Sequence, residues 1–194
     1  MTGPGLFELE AVVVGQPERS RWRRYMGPAL AVTTVEGTLL AQVTHPDGTH
    51  SLLAKASGEC IVRIERRSRF GQFGAVRFHF TDSADLEVGT AVARGVMKTL
   101  RLTLQTEQGR QLLLTRRGHL SVEWLLTETD PRQRPAPEIL GRVTVSSVDA
   151  LLGLQRYVVE TDPRLDASER RTVVASVVCL HLLRRPPGGS AAPG

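Results

Sequence analysis

The sequence predicts a mainly antiparallel β domain that closes on a single buried C-terminal helix. Short apolar runs separated by turn residues recur along most of the 194-residue chain, a pattern typical of an all-β sandwich or barrel. One run near the C-terminus differs, because it is apolar on every side and has helix signals at both ends. These two patterns predict the fold class without the help of any catalytic or binding motif.

The composition is that of a folded, soluble domain with an aliphatic core. Hydrophobic residues make up 41% of the chain, charged residues 23% and aromatic residues 5%. The formal charge is +5 and comes almost entirely from arginine, since Lys55 and Lys98 are the two lysines. Arginine in place of lysine indicates a GC-rich bacterial genome, so the charge permits an anionic partner without demonstrating one.

Nothing in the sequence predicts export or membrane insertion. Cys60 and Cys179 are isolated, which predicts two reduced, buried side chains rather than a disulfide framework. The N-terminus lacks the basic and apolar regions of a signal peptide, and no apolar run approaches the ~20 residues of a membrane-spanning helix. We expect a cytoplasmic protein without a transmembrane segment.

The first half of the chain predicts five strands joined by short turns. Glu36-Gly37 connects two of them and suits a tight hairpin, and residues 45–49 combine Pro with Asp-Gly. Residues 60–65 alternate apolar with charged side chains, which is the period of a half-exposed strand. The predicted strands are residues 7–14, 29–35, 38–43, 51–54 and 60–65.

The second half predicts further strands in a meander. A half-exposed strand at residues 75–80 is followed by three strands with Gly-containing turns between them, at residues 99–105, 110–115 and 119–127. A polar, Pro-containing segment at 128–138 predicts the longest loop, and strands follow at 139–147 and 152–161. We expect one domain over residues 1–185, followed by a disordered tail at 186–194 made only of Pro, Gly, Ser and Ala.

The segment from about 167 to 184 predicts the helix. Asp166 is an acidic N-cap with Glu169 three residues later, and Pro186 ends the helix at the other side. Residues 173–183 have no polar face, and ~18 Å of helix is too short for a ~30 Å hydrocarbon core, so we expect burial inside the protein. A central strand is the alternative, because the run contains several β-branched valines. The cap, the length and the flanking charges favour the helix.

Residues 157–163, the charged helix start and residues 173–183 together resemble the C-terminal end of tubby-like domains, especially the phospholipid scramblase and LURP-one-related group. Residues 100–126 are similar to the middle strands of that family. The resemblance implies a closed antiparallel β barrel of hairpins around a central hydrophobic helix. The chain lacks the Cys-rich and Pro-rich segments of scramblases, and Asp82-Ser83-Ala84-Asp85 is a poor match to their acidic calcium-binding stretch. The resemblance therefore implies a fold, and lipid transport does not follow from it.

The sequence contains no recognisable catalytic motif. Gly71-Gln72-Phe73-Gly74 lacks the spacing of a phosphate-binding loop, and there is no Gly-x-Ser-x-Gly nucleophile elbow. The five histidines are scattered, and the acids near Asp82 and Glu128 lie in predicted loops where solvated carboxylates are common. We therefore expect no catalytic residues, no metal and no cofactor, and predict a binding module rather than an enzyme.

Two arginine-rich clusters are the positive signal for function. Arginine beside exposed aromatic rings suits the phosphates of lipid headgroups or of single-stranded nucleic acid. The leading hypothesis is peripheral binding of an anionic membrane surface or a phosphoinositide through arginine-rich loops, with nucleic acid less favoured. The alternatives are a structural or protein-interaction domain and a solvated surface whose arginines reflect genome composition. The candidate residues are Arg19, Arg21, Trp22, Arg23, Arg24, Tyr25, Arg63, Arg66, Arg67 and Arg69.

Overall fold

A computed structural model describes residues 5–17, 30–68, 75–94, 101–118, 121–129, 137–146 and 156–184. Within these ranges twelve strands form one closed antiparallel barrel, in which neighbours in the chain are neighbours in the sheet and β12 pairs with β1. The strands are β1 (Ala11–Gly15), β2 (Leu30–Thr33), β3 (Leu39–Thr44), β4 (His50–Lys55), β5 (Cys60–Ser68), β6 (Val76–Thr81), β7 (Glu87–Ala93), β8 (Arg101–Thr106), β9 (Gln111–Arg116), β10 (Glu123–Glu128), β11 (Ile139–Val145) and β12 (Arg156–Thr161).

Four hairpins at one end of the barrel share the same short turn. In each turn the fourth residue has a positive φ and donates its N–H to the carbonyl of the first, as Gly37 does to Thr34 at 3.1 Å. Gly58 and Gly109 hold the equivalent places in the β4–β5 and β8–β9 turns. Asp85 takes that place between β6 and β7 with φ 61, a conformation that aspartate tolerates better than most residues. The turn after β2 spans Thr34 to Thr38 and is thus longer than the two-residue connection that the sequence suggested.

The predicted C-terminal helix is confirmed as α1 (Ala167–Arg184). The carboxylate of Asp166 accepts the N–H of Glu169 at 2.8 Å, and Glu169 accepts the N–H of Asp166 at 3.1 Å, so each residue caps the other. From Thr172 to Leu182 every residue of α1 is buried, which confirms a helix enclosed on all sides. Burial decides the conformation here, because valine has only a modest helix propensity.

The barrel interior is a continuous aliphatic core. Alternate strand residues point inward and pack on α1, and the largest buried side chains include Trp124, Tyr157, Phe78 and Phe80. The two buried hydroxyls of the helix are hydrogen-bonded: Thr172 donates to the Val88 carbonyl at 3.0 Å, and Ser176 donates to the Thr172 carbonyl at 2.7 Å.

Strand β7 is absent from the sequence-based prediction. Its sequence contains Gly89, and a glycine inside a strand weakens the β pattern, so these residues look like a loop. The glycine is required by close packing, since its φ is +147° and an added Cβ would lie 2.6 Å from the Gln105 carbonyl and 3.0 Å from the Thr172 hydroxyl. A residue that breaks the local pattern thus marks a place where α1 packs closely against the barrel wall.

Other predicted boundaries differ by a few residues. β1 begins at Ala11 rather than residue 7, because Glu8 donates its N–H to the Gly5 carbonyl in a turn. β10 begins at Glu123 rather than residue 119. Cys179 is buried, where burial raises its thiol pKa, whereas Cys60 is only half-buried. The predicted tail at 186–194, most of the loop at 128–138 and the start of the strand at 152–161 lie outside the described residues.

Candidate anion-binding surface

The barrel separates its charges by end. One end, here called the basic end, is where the odd-numbered strands β1 to β11 finish and the even-numbered strands begin. The opposite end, here called the acidic end, carries the four short hairpin turns and the start of α1. Only five residues separate the end of β12 from the start of α1, so α1 runs from the acidic to the basic end, and Cys179 in its second half lies near Arg66 of β5.

At the acidic end, carboxylates outnumber cations, and every described cation has a partner within the protein. Arg110 illustrates this: its guanidinium binds Glu128 through two hydrogen bonds of 3.0 and 2.9 Å and Glu169 through a third of 2.9 Å. The hydrogen bonds that Arg110 donates to Glu128, and then the one to Glu169, raise the pKa of Arg110 above its ordinary value. The other cations pair as Lys55–Glu59, Arg63–Asp85, Arg164–Asp162, Arg164–Glu138 and Arg171–Glu107, while Arg170 donates to the carbonyls of Glu8, Leu9 and Asp162.

At the basic end the balance is reversed. The described carboxylates there are Asp47, Glu65 and Glu123, whereas arginines occur around the rim from β5 to β12. In the described part of the chain, five of these arginines form no side-chain hydrogen bond or ion pair. Arg66 points into the barrel, and the other four, Arg77, Arg94, Arg101 and Arg156, belong to the outer wall. The remaining rim arginines, Arg67, Arg116 and Arg117, have partners within the protein.

Two of the rim arginines repel each other. Arg67 on β5 lies directly opposite Arg77 on β6 in the ladder, and both side chains are exposed on the outer wall. Like charges in directly opposed positions destabilise a sheet. Glu65 binds Arg67 through hydrogen bonds of 2.9 and 2.8 Å, so Arg77 is the one left without a counter-charge among the described residues.

The larger predicted cluster lies outside the described residues. Arg19, Arg21, Trp22, Arg23, Arg24 and Tyr25 belong to residues 18–29, and Arg69 belongs to residues 69–74. Of the described strands that flank these segments, β1 ends and β2 begins at the basic end, and β5 ends and β6 begins at the same end.

The three described residues of the second cluster do not share one surface, and they lie on a strand rather than in a loop. β5 extends to Ser68, since residues 63–68 pair with β6. Arg63 lies towards the acidic end and pairs with Asp85, whereas Arg67 pairs with Glu65 at the basic end. Arg66 continues the inward-facing series of Val62 and Ile64, and its Nε is buried without a hydrogen-bond partner. Whether these arginines bind a ligand stays a prediction.

The site predicted from the sequence does not include the four unpaired arginines of the outer wall. Strand periodicity already places Arg77 and Arg101 on exposed faces, but one arginine per strand forms no cluster in the sequence. Only the pairing of the strands brings them to one end. A single sequence does not show which residues of strands far apart along the chain lie opposite each other.

Two further properties of the described residues bear on other functions. No group of three or more His, Cys, Asp or Glu side chains within them has the geometry to hold a metal ion. None of the helical residues that the structure describes forms a stretch both long and apolar enough to traverse a bilayer.

The barrel and helix are shared with a protein of known structure. The crystal structure of protein AT5G01750 from Arabidopsis thaliana superimposes with a TM-score of 0.55 over 90% of this chain and 91% of the plant chain. The two sequences are 12% identical, so the likeness shows the fold alone, and it is consistent with the predicted tubby-like fold. No protein-family model matches the sequence, and no curated protein matches it.

Proposed function

We propose that the protein is a non-enzymatic cytoplasmic binding module whose basic end docks on an anionic lipid surface. The observation that supports the proposal is the separation of charge between the two ends of the barrel. Every described cation at the acidic end has an ion-pair or hydrogen-bond partner within the protein, whereas Arg77, Arg94, Arg101 and Arg156 at the basic end have none among the described residues. An exposed arginine that is not needed by the fold is free to bind a phosphate.

The arrangement suits a broad planar ligand better than a small one. The unpaired arginines come from β6, β7, β8 and β12, so they are spread around the rim rather than gathered in one pocket. A membrane contacts such a rim at many points, and each basic residue near an anionic bilayer contributes about 1 kcal/mol. Residues 18–29 add four arginines with Trp22 and Tyr25, rings that favour the headgroup layer.

Membership of the scramblase and LURP-one-related group is part of this proposal. It accounts for the fold and for the buried helix, and it leaves the ligand open between an anionic bilayer as a whole and a phosphoinositide headgroup. Vesicles in which phosphatidylserine and a phosphoinositide are compared at equal charge density separate these two ligands.

Co-sedimentation with vesicles tests the proposal. We expect binding to phosphatidylserine-containing vesicles, little binding to phosphatidylcholine vesicles, and a steep loss of binding between low and physiological salt, because the attraction fades within the ~8–10 Å Debye length. Replacing Arg21, Arg23 and Arg24 with Ser should remove most of the binding, whereas the matched Lys variant should retain it. Trp22 fluorescence should shift to shorter wavelength on addition of anionic vesicles, while Trp124, which is buried, should not respond.

Equal binding to neutral and anionic vesicles, or binding to neither, would overturn the lipid proposal. Tight, salt-sensitive binding to single-stranded DNA with no vesicle binding would favour nucleic acid instead. Binding to neither vesicles nor single-stranded DNA would leave the protein-interaction alternative.

A further inference from the structure

The outer wall of the barrel carries a cleft that shares one residue, Arg77, with the proposed lipid-docking end. It has a volume of about 210 Å³ and lies over strands β6 to β9. Two neighbouring rows of the sheet form it: Arg77, Val92 and Thr103 are paired across one row, and His79, Thr90, Gln105 and Gln111 across the next. The lining includes the short side chains of Thr90, Val92 and Thr103 and the longer side chains of Arg77, Glu87, Gln105 and Gln111.

The charges of the cleft have opposite signs at its two ends. Arg77 lies at the basic end, and Glu87 lies at the first position of β7, opposite Thr81 near the acidic end. Arg77 and Thr81 are four residues apart on β6, so the two charged residues are about 13 Å apart along the strand. Both residues line the cleft, and the side chains of arginine and glutamate are long enough to shorten this span from each end.

The polar groups between these charges are unused by the protein. In the described part of the chain, the side chains of Arg77, Glu87, Thr90, Gln105 and Gln111 form no hydrogen bond or ion pair. Gln105 and Gln111 lie directly opposite each other, and their amides both donate and accept hydrogen bonds. This set matches the polar groups of a peptide bond.

We propose that this cleft binds a small zwitterion that contains an amide, such as a dipeptide. The carboxylate binds the Arg77 guanidinium, the ammonium binds the Glu87 carboxylate, and the peptide group binds Gln105 and Gln111. The size is appropriate: a cleft of about 210 Å³ holds roughly seven water volumes of ~30 Å³ each, which is the space of a molecule of about ten non-hydrogen atoms. A purely anionic ligand is disfavoured, because the Glu87 carboxylate would repel it.

Titration by NMR or calorimetry with alanylalanine tests this proposal, and it does not depend on membrane binding. We expect saturable binding, weakened about tenfold or more when the N-terminus is acetylated or the C-terminus is amidated, since each change removes one charge-assisted hydrogen bond. The variants assign the ends of the ligand. Arg77→Gln should bind weakly and lose its discrimination against the amidated peptide. Glu87→Gln should bind weakly and lose its discrimination against the acetylated peptide.

Arg142→Gln, which removes an exposed arginine from the outer face of β11, is the matched control and should bind like the unmodified protein. Equal affinity for the blocked and free peptides would overturn the proposal, as would the absence of saturation at 10 mM. Stronger binding of inorganic phosphate than of alanylalanine would replace it with a simple anion site. Vesicle binding should persist in Glu87→Gln, so failure of one proposal is distinguishable from failure of the other.

Discussion

The two ends of the barrel use the same residue type in opposite ways. At the acidic end, arginine is a structural residue: Arg110 bridges two carboxylates, and Arg170 joins the helix to the N-terminal turn through the carbonyls of Glu8 and Leu9. At the basic end Arg94, Arg101 and Arg156 lie on or beside three different strands and contact no described partner. A count of arginines treats these groups alike, whereas the pattern of partners separates structural arginines from available ones.

The helix dipole accounts for only part of this difference. The N-terminus of α1 lies at the acidic end and is capped by Asp166 and Glu169, and its C-terminus lies at the basic end, so both charge distributions favour the helix. The effect falls off within one turn of each helix end. It therefore gives no reason for arginines on the outer wall, such as Arg77 and Arg101.

The largest expected effect concerns the element that both ends share. Val177 of α1 is fully buried, so Val177→Asp would place an unpaired charge inside the barrel and should abolish soluble folding. Val177→Ala should fold with a loss on the order of 2 kcal/mol from the cavity it leaves. Soluble expression and thermal melting measure both. A soluble Val177→Asp protein that melts cooperatively would contradict an enclosed helix.

Removal of a single arginine from each end compares the two ends directly. Arg110→Ala leaves Glu169, which is 4% exposed, without its ion-pair partner and should cost about 2–3 kcal/mol of unfolding free energy, since Arg110 itself is partly exposed. Arg101→Ala should change the unfolding free energy by less than about 0.5 kcal/mol. Urea denaturation of both variants measures the difference. Similar losses would mean that arginines at both ends are structural.

Acid should cost more stability through Asp162 at the acidic end than through Glu123 at the basic end. Hydrogen bonds from Arg164 hold the pKa of Asp162 well below its ordinary value, so the unfolded chain takes up this proton more readily than the folded chain. The contribution of Asp162 to the unfolding free energy is present above about pH 4 and is lost as the pH falls through the folded pKa. The pKa of Glu123 at the basic end is lowered in the same direction, chiefly by Arg117.

We therefore expect Asp162→Asn to lower stability at neutral pH and to flatten the decline of unfolding free energy between pH 5 and pH 2 more than Glu123→Gln does. Urea denaturation across this range measures both slopes. Equal slopes for the two variants would show that Asp162 and Glu123 contribute alike to the loss of stability in acid.

The smallest expected effect is the relief of repulsion on the outer wall. Arg77→Thr removes the charge opposite Arg67 and should raise stability by about 0.2–1 kcal/mol in low salt. The gain should disappear at high salt, where the repulsion is screened. Arg142→Thr, which removes an arginine that has Glu123 as a partner, should produce no such gain. A destabilised Arg77→Thr protein would mean that Arg77 has a structural role.

Local patterns in the sequence predict the helix and most strands because those signals are short-range. The cap at Asp166 and Glu169 lies within four residues, and the alternation in β6 or β8 is complete within six. Strand β7 is not predicted, because Gly89 weakens its local pattern. The reason for the glycine is its close packing against Thr172, 83 positions further along the chain. The site follows the same rule. The sequence indicates where arginine is dense, but the register decides which arginines meet a carboxylate.

Charge-matched variants at the two ends test the central claim most directly. One variant replaces Arg94, Arg101 and Arg156 with Ser at the basic end, and the other replaces Lys55, Arg63 and Arg164 with Ser at the acidic end, so both lose the same net charge. Co-sedimentation with phosphatidylserine vesicles at low salt is then compared after both variants are shown to be folded. We predict that the first variant loses most of its binding and that the second retains it. Equal loss in both variants would show that lipid binding follows net charge alone, and it would contradict a docking surface at the basic end.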